Sequence, residues 1–445
     1  MKQDFRAALR TRTLFFDGGM GTQLQAAGLG AGEAPELWSL THPEAVTAIH
    51  LRYLEAGANI LCADTFGVNA LKYPVTGEVS VTSQVTAAVA CAKEAVRRFE
   101  EAHANDAYGQ EPHFVALDVG PTGKLMAPFG SLSTDAAVAA FGASVRAAAD
   151  AGADLVAVET MNDIAEARAA VLAAHEYAAG LPVCATVVFS DKGWMLNGTD
   201  VPAAVTILQG LGVDALGLNC SLGPDKMKRL VPDLCAASAV PVSVSPNAGL
   251  PVTVGGVTTY PCGPADFARE MTEVFDAGAR ILGGCCGTTP DHIRMMRAAL
   301  SGRDLTAPFV PSPVPALPAG RLHTADPAAD CRIIRIPVGD GDPDDVTDAV
   351  LDAEDDGADI LLLSDADSPE ALAAAVGAAQ SACPLPMILD TGGDADAAAP
   401  ALRLCFGRAG LLVRGEPSPA LTALAARYGA VLCDPDDLPG LRAVR

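Results

Sequence analysis

The stretch ILGGCCGTTP (281–290) sets two adjacent cysteines, Cys285 and Cys286, among glycines at the end of an apolar run. A third, Cys220, closes another apolar run, DALGLNC (214–220). If both runs are strands that end at one rim, three thiolates converge there and leave one corner of a tetrahedron free. Three protein ligands with an open fourth position is how catalytic zinc is held. Gly283, Gly284 and Gly287 let the backbone bend so that both neighbouring thiols can reach one ion. The competing reading is three small buried core residues, the usual fate of an isolated cysteine. The adjacent pair and the matching third strand end favour the metal. Such an ion suits a substrate thiol bound as thiolate: the cation lowers its pKa, and the anionic ligands keep electron density on the sulfur. The chemistry expected is alkyl transfer to sulfur.

Other apolar runs end in groups that complete a site. DGGMGT (17–22) joins the carboxylate of Asp17 to backbone N–H groups at Gly18 and Gly19, a turn able to hold a substrate carboxylate while Asp17 faces an ammonium. Glu159 is a second acid for that ammonium. Asp64, Thr65 and Asn247 also stand at strand ends and join the candidate substrate-binding set. An amino-acid thiol fits this set; a ligand-free tight turn and a capping carboxylate are the plainer alternatives. DGGMGT lacks the GxGxxG spacing of a dinucleotide site.

Eight apolar runs must position these groups: TLFFDGG (13–19), NILCADTF (59–66), HFVALDVG (113–120), DLVAVET (154–160), PVCATVVF (182–189), DALGLNC, PVSVSPNAG (241–249) and ARILGGCC (279–286). Nearly continuous apolarity marks strands buried on both faces. Segments of helical character lie between them, several ending in Gly-Ala just before the next run, as a left-handed glycine stop requires. Eight such units in about 300 residues predict an α/β fold, a closed (β/α)8 TIM barrel, whose chemistry gathers at the carboxyl ends of its strands.

Composition narrows the partners. A formal charge of −24 repels phosphate backbones and anionic lipid, so neither nucleic acid nor membrane is expected. The amino terminus shows no signal-peptide pattern, and no uncharged apolar run reaches membrane-spanning length, so the expected location is cytoplasmic. Twelve cysteines in 445 residues are too dilute for a disulfide scaffold.

Over 304–330 prolines (APFVPSPVPALPAG) rule out a long helix or interior strand and divide the chain into a barrel over 1–303, a linker, and a smaller domain over 331–445. That tail reads as about five strands (CRIIRIPVG, DILLLSD, LPMILD, AGLLVR, GAVLCD) alternating with helices, too few to close a second barrel.

The combination DGGMGTQLQ, ADTFGVN, VGPTGK, DLVAVETMNDIAEA, GLNCSLGP, SPNAGLP and GGCCGTTPDHI, in this order across about residues 10–300, resembles the homocysteine S-methyltransferase domain of cobalamin-dependent methionine synthase and betaine–homocysteine methyltransferase. The resemblance implies a zinc ion held by Cys220, Cys285 and Cys286 with the homocysteine sulfur as fourth ligand. It also implies that Asp17 and Glu159 meet the amino group and that Gly18 and Gly19 meet the carboxylate. One departure is Asp64, where many members have asparagine. The tail resembles the opening strands of a pterin-binding barrel, here truncated, with LLLSDAD where that family carries an asparagine-containing run. No DxHxxG stretch of a cobalamin-binding domain occurs, since His292 and His323 lack that context. The expected methyl donor is therefore a methyl-corrinoid (methylcobalamin type) supplied in trans by a separate protein, with the tail as a docking or homodimer-forming domain. S-methylmethionine, S-adenosylmethionine or betaine used directly is the alternative, its cationic head housed by aromatics such as Phe16, Phe66, Phe189, Trp194 or Tyr260. A non-catalytic zinc-binding partner subunit is the reading from another class.

Overall fold

The computed structural model describes residues 4–30, 32–106, 109–254, 257–329 and 331–439. All eight apolar runs of the first 300 residues contain strands: β1 (Leu14–Phe15), β2 (Ile60–Cys62), β3 (Phe114–Val119), β4 (Leu155–Met161), β5 (Val183–Val187), β6 (Ala215–Asn219), β7 (Val242–Ser245) and, after the hairpin strands β8 (Val252–Val254) and β9 (Val257–Thr259), β10 (Ile281–Leu282). They form one parallel sheet in the order β1-β10-β7-β6-β5-β4-β3-β2. A parallel bridge from Phe16 to Ile60 joins its two ends. Two hydrogen bonds fasten that seam, Asp17 N–H to Ile60 O at 3.0 Å and Asn59 N–H to Phe15 O at 2.7 Å. The sheet is thus a closed barrel with helices outside it, and the Gly-Ala stops behave as expected: Gly152, at φ 79°, ends the helix Thr134–Ala151.

Strand alternation sorts the side chains. Leu14, Phe16, Ile60, Phe114, Ala116, Leu155, Ala157, Cys184, Ala215 and Ile281 form one cluster, the barrel interior, while their neighbours in sequence pack outward against the helices. The helix Phe5–Thr11, which the strand pattern did not reveal, plugs the amino-terminal end by adding Phe5, Ala8 and Leu9 to that cluster. The ring of Phe5 meets Phe114 edge-on at 5.3 Å. With the bottom closed, polar groups on the interior face can only open toward the carboxyl ends.

The tail forms a separate five-stranded parallel sheet, β11 (Ile333–Gly339), β12 (Ile360–Ala366), β13 (Met387–Leu389), β14 (Gly410–Leu412) and β15 (Val431–Cys433), in sequential order. Right-handed crossovers in that order put every connecting helix on one face. The other face carries a small core of Ile333, Ile360, Leu362, Ile388 and Leu412, joined by Leu438 from beyond β15.

The proline-rich connector is irregular but pinned: Thr13 N–H donates to Leu305 O, Asp200 N–H to Leu322 O, and Ala319 pairs with Arg408. A buried guanidinium helps to join the two sheets' outer layers. Arg168, on the barrel helix Ile164–Tyr177, is 2% exposed and donates to Leu402 O (2.7 Å), Arg403 O (3.3 Å) and Tyr428 O (3.4 Å). Those carbonyls end two helices of the tail, Ala395–Leu404 and Pro419–Tyr428, where a cation is favoured. Arg403 and Arg427 return the contact through Glu176. Replacing Arg168 by methionine strands three carbonyls, so we expect a loss of about 3 kcal/mol, measured as a lower urea midpoint.

Candidate active site

Cys220, Cys285 and Cys286 have sulfurs that all lie within 4.8 Å of one another, the one such group of metal-ligating residues among those described. Alternation along β6 puts Asn219 inward and should turn Cys220 outward. The backbone instead enters the left-handed region at Cys220 (φ 57°) and Ser221 (φ 56°), which carries the thiol back over the mouth. Such φ values are costly for non-glycine residues and persist where the surroundings enforce them. Here Cys220 N–H donates to Ser245 O at 3.0 Å, and Asn219 clamps the neighbouring strand end. Its Oδ1 accepts from Thr160 N–H (2.8 Å) and the Thr186 hydroxyl (2.9 Å), and its Nδ2 donates to Thr160 Oγ1 (2.8 Å). Thr160 is itself left-handed, at φ 60°.

Gly287, at φ 79°, lets the chain turn after the cysteine pair; a Cβ there would lie 2.1 Å from the ring of Tyr260. Tyr260 follows the hairpin β8–β9 and stands beside Cys286; burial first, and then the charge of Cys286, push its hydroxyl up to about 12. One side-chain donor reaches the sulfurs: Asn219 Nδ2 lies 3.9 Å from Cys285 Sγ, with Asn247 near Cys220 and Tyr260 near Cys286. Crowding by Cys285 and Cys286 holds the Cys220 thiol below its usual range while their own thiols are pushed up. Three soft sulfur donors at this spacing are the donor set a thiophilic divalent ion such as zinc requires.

Beside the sulfurs lies a pocket of acids. Asp17 is 4% exposed and accepts from Cys62 N–H at 3.0 Å; burial, and then the nearby Glu159, push its carboxyl well up. Burial and the charge of Cys220 raise Glu159 to about 7, and its carboxyl has no hydrogen bond to protein among the described residues. Asp118, at the end of β3, is pushed well up by burial and by Glu159, Asp17 and Asp64.

The remaining candidate residues fall into two groups. Asn247 joins the sulfurs, with its Oδ1 buried and without a partner among the described residues. Gly19 gives its N–H to the Thr288 hydroxyl (3.1 Å), which in turn donates to Cys285 O (2.7 Å), so this amide ties the first turn to the cysteine loop. Gly18 leads into the first turn of the helix Met20–Ala27, an amino end where an anion is favoured. The Thr65 hydroxyl is engaged at both ends by the backbone of Asp118, donating to its O (2.8 Å) and accepting from its N–H (3.0 Å). Asp64 has Glu36, Ser39 and Cys91 for neighbours. Neither Asp64 nor Thr65 lies in the sulfur cluster: strand-to-strand bonding takes the Thr65 hydroxyl, and Asp64, with one carboxyl oxygen unpartnered among the described residues, acts on Asp118.

A closed (β/α)8 barrel with three convergent thiols and a group of acids at its carboxyl mouth has the architecture of a barrel enzyme with its site at the strand ends. Residues 14–300 match the family model described as homocysteine S-methyltransferase, and the chain belongs to that family. It is 35% identical over 312 residues to the methionine synthases of Mycobacterium leprae and Mycobacterium tuberculosis, an alignment covering 67% of this chain and 25% of each relative. The chain therefore spans about a quarter of the curated relatives it matches. Among solved structures it resembles the Escherichia coli homocysteine methyltransferase MmuM in its oxidized form (TM-score 0.54, 27% identity, 64% of this chain and 95% of that one). The metallated form of the same enzyme is similar at TM-score 0.54 and 26% identity, covering 65% of this chain and 96% of that one. No helix among the described residues is long and apolar enough to cross a membrane.

Proposed function

We propose that the protein transfers a methyl group to the thiol of homocysteine, giving methionine, with a zinc ion held by Cys220, Cys285 and Cys286 and a methyl-corrinoid supplied in trans as donor. The observation that carries the reading is the convergence of three sulfurs within 4.8 Å beside the buried carboxyl of Asp17 and the half-buried one of Glu159. Zinc bound by three thiolates acidifies a thiol placed in its fourth position and leaves that sulfur nucleophilic.

This chain's own residues do the rest. Asp17 and Glu159 receive the substrate ammonium, and Gly18 with the first turn of Met20–Ala27 receives its carboxylate, so the substrate thiol hangs toward the cysteines. The thiol proton passes to solvent, a sulfur lone pair forms the bond to the methyl carbon, and the electron pair of the bond from methyl to its carrier stays on the carrier. Asn219, whose Nδ2 lies 3.9 Å from Cys285 Sγ, holds that sulfur in place throughout. A corrinoid donor is favoured because the motifs resemble the homocysteine domain of cobalamin-dependent methionine synthase, and methionine synthases are among the relatives the chain matches at 35% identity.

The test is to incubate the zinc-loaded protein with homocysteine and, separately, methylcobalamin, S-methylmethionine, S-adenosylmethionine and betaine, measuring methionine. Turnover with methylcobalamin alone is expected. Turnover only with a sulfonium or betaine would replace the donor, and none with any of the four would leave a zinc-binding partner subunit.

A further inference from the structure

We infer that Asp118 is the third acceptor for the α-ammonium group of the thiol substrate, completing a ring with Asp17 and Glu159. The inference rests on the reading of the acid pocket above. An ammonium has three N–H donors and no acceptor, and it is satisfied in a buried site only when three acceptors surround it. Asp17 and Glu159 supply two.

The strand geometry supplies the next. Phe114 and Ala116 of β3 lie in the barrel-interior cluster, and alternation puts Asp118 on the same face, one layer nearer the mouth. In the neighbouring β4, Leu155 and Ala157 share that face, the strand bulges between Val158 and Met161, and Glu159 at the bulge acts on the Asp118 carboxyl. The backbone of Asp118 is pinned by both bonds to the Thr65 hydroxyl, so only its carboxyl remains to be satisfied. Asp118 is 9% exposed, and its Oδ1 is buried with no partner among the described residues.

The groups that act on Asp118 electrostatically are Glu159, Asp17 and Asp64, all acids, with no guanidinium or lysine ammonium among them. A buried carboxyl oxygen in that company is costly unless a cation arrives to meet it. The substrate ammonium is the cation that the site is built to receive.

The experiment compares homocysteine with 4-mercaptobutanoate, which keeps thiol and carboxylate and lacks the amine, by titration calorimetry on the zinc-loaded full chain. The wild-type protein is expected to prefer homocysteine. Asp118→Asn should weaken homocysteine binding about tenfold while shifting the amine-free thiol less than about twofold. Zinc content should stay unchanged, and Asp118→Ser is run beside it so that a folding defect in one variant does not decide the result. If both folded variants keep the wild-type ratio of affinities, or lose both thiols equally, the assignment of Asp118 is overturned and the rest of the pocket stands. If the wild-type protein itself shows no preference for the amine, the reading of Asp17 and Glu159 fails along with it.

Discussion

Cys285→Ala should leave the protein folded, with its zinc lost and methionine formation abolished. Thiolate sites release roughly 10–16 kcal/mol on binding zinc, so removing one of three protein sulfurs subtracts about 4 kcal/mol, or about three powers of ten in affinity. Asn219 loses its sulfur contact at the same time. Cys235→Ala is the matched control, since this half-buried thiol packs beside Gly278 at the far end of the barrel. Metal analysis by mass spectrometry after dialysis, with melting curves for both variants, separates ligand loss from unfolding. If Cys285→Ala keeps full zinc occupancy, the metal site proposed here is wrong.

The elements that carry this site are legible in the sequence because a barrel strand is buried on both faces. Near-continuous apolar runs ending in Asp, Glu, Asn or Cys mark both the strand and its exit into solvent. The interior layer can be read the same way: Phe114, Ala116 and Asp118 follow from simple alternation, whereas the unpartnered oxygen of Asp118 shows only in the folded chain.

What the sequence hides is contact across long separations. The left-handed backbone at Cys220 is carried by a non-glycine residue, so no glycine announces it. The capture of Thr65 by the Asp118 backbone, and of the Gly19 amide by Thr288, joins positions 53 and 269 residues apart. Tyr260 arrives on a hairpin whose short strands give no strong period. The docking of the tail depends on Arg168, an arginine in an alanine-rich helix that reads as an exposed one until two helix ends are found over it.

Asp64→Asn is expected to stabilise the protein, and to do so only toward alkaline pH. Asp64 is 6% exposed, with one carboxyl oxygen lacking a partner among the described residues. Burial first, and then the charge of Glu36, raise its carboxyl from 3.8 to about 8, and the nearby Ser39 hydroxyl offsets this only in part. Glu36 stays ionised because Lys72 and Tyr73 both donate to it.

The sign follows from proton counting. Between about pH 4 and pH 8 the folded protein binds a proton at Asp64 that the unfolded chain has released, so stability falls as pH rises through that window. The penalty is absent below about pH 4 and complete above about pH 8, where it reaches at most about 6 kcal/mol; at pH 5 its ceiling is about 2 kcal/mol. Asparagine keeps the shape and cannot ionise. We therefore expect urea unfolding to show Asp64→Asn about 2–4 kcal/mol more stable than wild type at pH 8, with a gain under about 1 kcal/mol at pH 5. A gain equal at both pH values would mean that packing, and not the buried charge, sets the difference.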